Sequence, residues 1–319
     1  MRNLLLLASL CLLTCCTDPP AQPISVPTAL NSSDVSLVVL GNVQDAGAPH
    51  VACRKDCCKD LFDHPDVKRQ VTSLGIIDRI SGKTYLFEAS PDLTRQTKAL
   101  KTAAGTDQEL PDGIFLTHAH IGHYAGLMYL GKEATNADRV PVYAMPRMRS
   151  FLTNDGPWSQ LVSTNNIALQ RLTADSTLQL TPQLQVTPFR VPHRDEFSET
   201  VGYLISGPNH KALFIPDIDK WEKWDRRIED LIAEVDYAFL DGTFYDAAEL
   251  NTRDISQIPH PFVSESMQRF AALSAAEKAK INFIHFNHTN RLLVTDSEET
   301  KEVIRQGFQV ADFGEQFGL

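Results

Sequence analysis

Short apolar runs separated by polar turns recur along this chain, and several of them stop at a histidine or an aspartate. Ser36-Leu37-Val38-Val39-Leu40-Gly41 is an unbroken apolar run closed by glycine, which predicts a buried strand. Ser73-Leu74-Gly75-Ile76-Ile77-Asp78 and Thr84-Tyr85-Leu86-Phe87-Glu88 flank a Ser81-Gly82 turn and predict paired strands. Ala89-Ser90-Pro91-Asp92 interrupts the second strand and starts a helix, with Asp92 at its first turn. Gly113-Ile114-Phe115-Leu116 predicts another buried strand, followed by a helix over 123–130 that Gly131 ends. A strand over 141–144 and a short helix over 145–152 complete the first half.

The second half repeats this pattern. A strand over 184–191 ends at Pro192-His193, and strands over 201–206 and 212–215 form a hairpin around Gly207-Pro208 that runs into Pro216-Asp217. A helix over 221–233 precedes a strand over 236–240 that stops at Asp241-Gly242-Thr243. A helix over 260–273 precedes a strand over 281–284 that stops at His285-Phe286-Asn287-His288. This alternation predicts an α/β fold of two sheets sandwiched between helices. Trp221 and Trp224, one helical turn apart, are expected to pack in the core, and Tyr124, Phe244 and Tyr245 to pack in the core or rim, with lining of a substrate pocket as the alternative.

The chemistry concentrates where strands end. Thr117-His118-Ala119-His120-Ile121-Gly122-His123 places three of the chain's ten histidines directly after a buried strand. Imidazole is the commonest neutral ligand for zinc and similar ions. His193, Asp217, Asp241 and His285 each follow a later strand. A lone aspartate after a strand is usually a turn residue. Five strands ending in ligand-type residues predict convergence on one sheet edge and a metal centre.

The ends and the cysteines add detail. Arg2 and the apolar stretch 4–13 read as a signal segment, too short to span a bilayer. Leu12-Leu13-Thr14-Cys15-Cys16 resembles a bacterial lipoprotein signal, with Cys15 or Cys16 as the lipidated residue. The expectation is an exported protein, tethered to a membrane of the cell envelope by a lipid anchor. Residues 1–16 would be the signal, the Pro- and Ser-rich 17–34 a flexible tether and 35–319 the folded domain. A net charge of −10 with no basic run argues against nucleic-acid binding and leaves a small-molecule substrate. Cys53, Cys57 and Cys58 are an odd set outside the signal. They predict either a thiolate zinc site, with a fourth ligand such as His50, or a disulfide plus a free thiol.

The strand-end pattern resembles the metallo-β-lactamase superfamily over residues 36–312. That resemblance implies a four-layer αβ/βα sandwich, with His118, His120 and His193 as one metal site and Asp217 as a bridging carboxylate. It implies that His123 and His285 serve a second site. One or two zinc ions are implied, with Fe or Mn as alternatives. Gly122 stands where the superfamily carries an aspartate, so the second ion is expected to be weaker, with Asp241 or His288 making up the lost ligand. Four segments carry a closer resemblance to the pyrroloquinoline quinone biosynthesis protein B family: residues 44–49, 88–93, 241–244 and 285–290. It implies a structural zinc at the cysteines, although that family departs from His-x-His where this chain keeps all three histidines. The implied activity is metal-dependent hydrolysis of an ester, amide, lactone or phosphodiester. Asp217 would orient the water and His288 would serve as acid or substrate donor, with Asp241 supporting the site. His260, between two prolines, is expected at a surface helix start, with a supporting role at the site as the alternative. The rival readings are iron-dependent oxidation or hydroxylation, and a non-catalytic envelope lipoprotein with a degenerate site.

Overall fold

The apolar runs pair into two seven-stranded sheets in the computed structural model, which describes residues 33–194, 196–250 and 258–319. The proposed signal and the tether up to residue 32 lie outside the described residues. The first sheet contains β1 (Val35–Gly41), β2 (Ser73–Asp78), β3 (Lys83–Phe87), β4 (Gly113–Phe115), β5 (Val140–Ala144) and β6 (Ile167–Arg171). The second contains β7 (Leu178–Thr181), β8 (Leu184–Arg190), β9 (Val201–Ser206), β10 (Lys211–Ile215), β11 (Tyr237–Asp241), β12 (Ile281–Ile284) and β13 (Gln309–Val310). The last strand, β14 (Gln316–Gly318), returns to the first sheet and pairs antiparallel with β1. The orders are β14-β1-β2-β3-β4-β5-β6 and β13-β12-β11-β10-β9-β8-β7.

Alternation of side chains along each strand sets the layers. In β1, Leu37 and Val39 face the second sheet, while Val38 and Leu40 face the helix Leu93–Ala104. In β10, Phe214 faces the first sheet, while Leu213 and Ile215 pack against the helices carrying Ile232 and Met267. Helix, sheet, sheet and helix therefore stack as the four layers expected.

Strand direction then places the site. β3 to β6 are mutually parallel, and so are β10 to β13. Both β8 and β10 are antiparallel to β9, so these two share a direction. The C-terminal ends of β4, β8, β10, β11 and β12 consequently lie at the sandwich edge that carries His118, His193, Asp217, Asp241 and His285.

Several helices are shorter than the pattern predicts. The expected helix 221–233 divides into a turn, Trp221–Lys223, and a helix, Ile228–Ala233. Trp224 between them is extended because its indole N–H donates to the Arg190 carbonyl 2.9 Å away. Trp221 and Trp224 are both buried, as expected. The expected helix 260–273 begins only at Val263, because Pro259 and Pro261 hold the preceding segment outside the helix. The segment 123–130 forms a helical turn, Ile121–Tyr124, and a tighter turn, Ala125–Leu130, which stops at Gly131 as expected.

Phe115, the last residue of β4, stacks on Phe87 and Tyr143 with ring centroids 4.7 and 4.3 Å away, and meets Tyr203 edge-on at 5.7 Å. It ties both sheets together two residues before the histidine loop begins. Phe115→Ala is expected to cost about 3–5 kcal/mol in urea unfolding. A loss below about 1 kcal/mol would show that the inter-sheet core closes without this ring.

Candidate metal centre

The loop after β4 is held at its start. Leu116 donates its backbone N–H to the Tyr143 carbonyl at 3.1 Å and accepts from the Tyr203 hydroxyl, while Thr117 N–H reaches Glu88 Oε2 at 3.3 Å. His120 is extended (φ −84°, ψ 145°) and precedes the helical turn that carries His123. The change of conformation lets His118, His120 and His123 all turn toward one point, with their ring centroids 4.2 to 4.4 Å apart around His118.

Asp217 sits at that point, delivered by β10 and Pro216. Its Oδ2 lies 3.2 Å from His193 Nε2, 3.3 Å from His118 Nε2, 3.7 Å from His120 Nδ1 and 3.8 Å from His123 Nε2. His118, His120, His193 and Asp217 form one ligand-type group, and Asp45, His123 and His285 form a second beside it. Asp45 Oδ1 is 2.9 Å from His123 Nε2 and 3.1 Å from His285 Nε2.

The far sides of His118, His193 and His285 are anchored. Thr117 Oγ1 meets His118 Nδ1 at 2.9 Å, Asp219 Oδ1 meets His193 Nδ1 at 3.1 Å, and Thr243 Oγ1 meets His285 Nδ1 at 2.9 Å. Glu88 Oε1 lies 3.3 Å from His123 Nδ1. Such outer contacts fix ring orientation and leave the inner nitrogen to a ligand-binding role. Among the atoms that face the centre, His118 Nε2, His123 Nε2 and Asp217 Oδ1 are buried with no protein hydrogen-bond partner, while His120 Nδ1 and His193 Nε2 meet each other at 3.2 Å. The short His123–Asp45 and His118–Asp217 distances do not meet the angular needs of a hydrogen bond. Unmatched buried polar atoms cost about 1–3 kcal/mol each, and neutral nitrogens with carboxylate oxygens are the donor set of a divalent cation. The residues therefore fit a metal.

Charge follows the same geometry. Burial, with the neighbouring His123 charge, holds the His118 pKa well below the imidazole range and keeps the ring neutral, the form that binds metals. Burial opposes charge on His193, but Asp217 and Asp219 outweigh it and raise its pKa to about 9. Burial also opposes charge on Asp217, but His193 and His260 hold its carboxyl well below the usual range. A cation at the centre would compete with the protons that Asp217 and Asp219 hold on His193 and that Asp45 and Glu88 hold on His123.

Three placements correct the sequence expectations. His260 is not a surface residue; its Nδ1 lies 2.9 Å from Asp241 Oδ2 and 3.2 Å from Asp217 Oδ1. The Pro-flanked segment carries it inward before the helix starts. Asp241 accepts from Thr243 N–H, Thr243 Oγ1–H and Ile218 N–H, and with Asp217 and His260 it forms a third buried ligand-type group. His288 is not with the other histidines but with Cys53, Cys57 and Cys58. His285 has a φ of 70°, which turns the chain so that His285 faces Asp45 and His288 faces the cysteine loop. His50 is not the fourth member of that group; it stacks against His288 at 4.2 Å and directs its Nδ1 to the Val51 carbonyl. The cysteines are free, with Sγ separations of 3.9 and 3.8 Å, too long for a disulfide. Burial and the adjacent sulfurs push the Cys57 thiol up to about 12, so three thiolates need a cation to share this space. Asp45, which lies in a quoted motif, escaped the sequence reading as a candidate ligand.

A sequence model of the Beta-lactamase superfamily domain matches residues 83–286. Coenzyme PQQ synthesis protein B of Methylorubrum extorquens (strain PA1) is 26% identical over 305 residues, covering 87% of this chain and 98% of that protein. The structure of Zn2+-bound PqqB from Methylobacterium extorquens matches with a TM-score of 0.71 at 24% identity, covering 89% of this chain and 100% of that one. A diphosphatase from the PhnP family matches with a TM-score of 0.60 at 21% identity, covering 89% and 96%. Both structures share the four-layer fold.

Thr243 links Asp241, His260 and His285 through one hydroxyl. Thr243→Val keeps the shape and removes that link, so it is expected to cost about 1–3 kcal/mol in chemical denaturation of the chelated protein. An unchanged midpoint would mean that the hydroxyl does not hold these groups.

Proposed function

The chain belongs to the β-lactamase superfamily, and from that premise we propose that it is a metal-dependent hydrolase whose ion is held by His118, His120, His193 and Asp217. The observation that carries this reading is the convergence of four imidazole nitrogens on the buried Asp217, with His118 Nε2, His123 Nε2 and Asp217 Oδ1 left without hydrogen-bond partners. Held by His118, His120, His193 and Asp217, a divalent metal would supply Lewis acidity and lower the pKa of a water there from ~16 toward ~7.

The chain's own residues supply the remainder. Asp217 Oδ1 has no hydrogen-bond partner and orients a water. His260 takes the acid role that the sequence suggested for His288. Burial opposes its charge, but Asp241 and Asp217 hold its pKa well above the imidazole range, so it carries a proton to give. His120, beside Glu196 and the exposed Ile121 and Phe197, is the most exposed ring of its group and marks the approach for a small molecule. The substrate class is an ester, amide, lactone or phosphodiester. Cys53, Cys57, Cys58 and His288 hold a separate structural zinc in this reading. Export with a lipid on Cys15 or Cys16 is supported by the N-terminal sequence; among the described residues no helix is long and apolar enough to cross a membrane.

A second reading is iron-dependent oxidation or hydroxylation, because His and Asp ligands suit iron as well as zinc. Elemental analysis of the full chain, of His118→Ala and of Cys57→Ala separates these. Zinc or manganese lost from His118→Ala, together with turnover on a panel of esters and phosphodiesters, is the expected result. Iron in that fraction would move the assignment to oxygen chemistry. No metal lost from His118→Ala would overturn both readings.

His260→Ala is expected to keep its metal and to lower kcat by about 10²–10⁴-fold, the usual contribution of a positioned acid. Unchanged turnover would remove His260 from the mechanism.

A further inference from the structure

Gly122 leaves one face of the histidine loop without a side chain, and Asp45 fills that space. A Cβ built on Gly122 would lie 2.3 Å from Asp45 Cα, 2.5 Å from Asp45 Cβ and 2.7 Å from Asp45 Cγ. A side chain at 122 and the present position of Asp45 therefore exclude each other.

We propose that Asp45 supplies the carboxylate that Gly122 cannot, and that with His123 and His285 it holds a second divalent metal ion sharing Asp217 with the first. This rests on the metal-centre reading above. The second ion would be held by ligands from three separate segments: the loop after β1, the helical turn after β4 and the end of β12.

The loop is fastened where a ligand must be. Phe286 N–H donates to the Asn42 carbonyl at 2.7 Å, and Gln44 N–H donates to the Phe286 carbonyl at 2.7 Å. Asn42 and Val43 N–H both reach the Gln70 carbonyl at 3.0 Å. Asp45 is thus clamped to the residue that follows His285, so the two ligands keep a fixed separation. Asp45 Oδ1 stands between His123 Nε2 and His285 Nε2, and His123 Nε2 has no hydrogen-bond partner. Thr243 holds the opposite nitrogen of His285, whose Nε2 hydrogen-bonds Asp45, and Glu88 Oε1 lies 3.3 Å from the opposite nitrogen of His123. A carboxylate aimed between two imidazoles, beside a shared carboxylate, is a ligand arrangement rather than a turn.

The test reads metal stoichiometry and affinity in the full chain, with Mn2+ and Zn2+ as probes. Asp45→Ala is expected to bind one metal equivalent fewer than wild type. It should lose more affinity in that step than the roughly 10- to 100-fold that an outer contact costs. Gly122→Ala removes no donor atom, yet it should lose the same equivalent by displacing Asp45. The double variant Asp45→Gly/Gly122→Asp should regain it. Retention of the first ion and of the cysteine-bound ion in each variant shows that the fold is intact. Full stoichiometry and unchanged affinity in Asp45→Ala would overturn the inference. Where His118→Ala loses metal but Asp45→Ala does not, the Asp45 assignment fails and the first site stands. Where neither loses metal, both fall.

Discussion

A carboxylate buried among imidazoles is the interaction on which this structure depends. Asp217 Oδ2 stands within 4 Å of His118, His120, His123 and His193, away from bulk water. An isolated buried charge is expensive, and it persists only when opposite charge or coordination compensates it. The protein aims several ring nitrogens at one oxygen and anchors the outer nitrogens of His118 and His193. It leaves His118 Nε2, His123 Nε2 and Asp217 Oδ1 without hydrogen-bond partners. That arrangement loses stability unless a cation is bound, and it makes the folded centre and its metal one energetic unit.

The sandwich enforces this geometry through strand direction. Parallel strands in each sheet end together, so loops from both sheets meet at one edge. Phe115, Phe87, Tyr203 and Phe214 lock the sheets face to face directly beneath it. The rings are therefore carried by rigid strand ends rather than by long loops, which is how a scaffold holds ligands to sub-ångström tolerance. The cysteine cluster closes over the same region, because β12 delivers His285 to one group and His288 to the other.

Much of this was legible in local sequence pattern, and the omissions share physical causes. The central strands read clearly because both faces are buried and the runs are unbroken. β6, β7, β13 and β14 were not anticipated, and these four are the edges of the two sheets. An edge strand is half exposed, as in Ile167–Arg171, so its sequence carries little apolar signal. The strand-end residues His118, His193, Asp217 and His285 were legible because each follows its own strand. Asp45 was not, since its partners His123 and His285 are remote in sequence and the only local sign was an absence at Gly122. His260 was misplaced because flanking prolines suggest a helix start, whereas here they hold an inward-facing extended segment. His50 and His288 could not be distinguished as partners of the cysteines by spacing, because the choice depends on the turn at His285.

The most direct test of the central claim is anomalous X-ray scattering from crystals of the protein grown with Zn2+ and recorded across the zinc absorption edge. The account predicts a zinc peak in contact with His118, His120, His193 and Asp217, separate from a peak at the cysteines. Density at the cysteines alone, with the histidine cluster empty and Asp217 still buried among its rings, would contradict it.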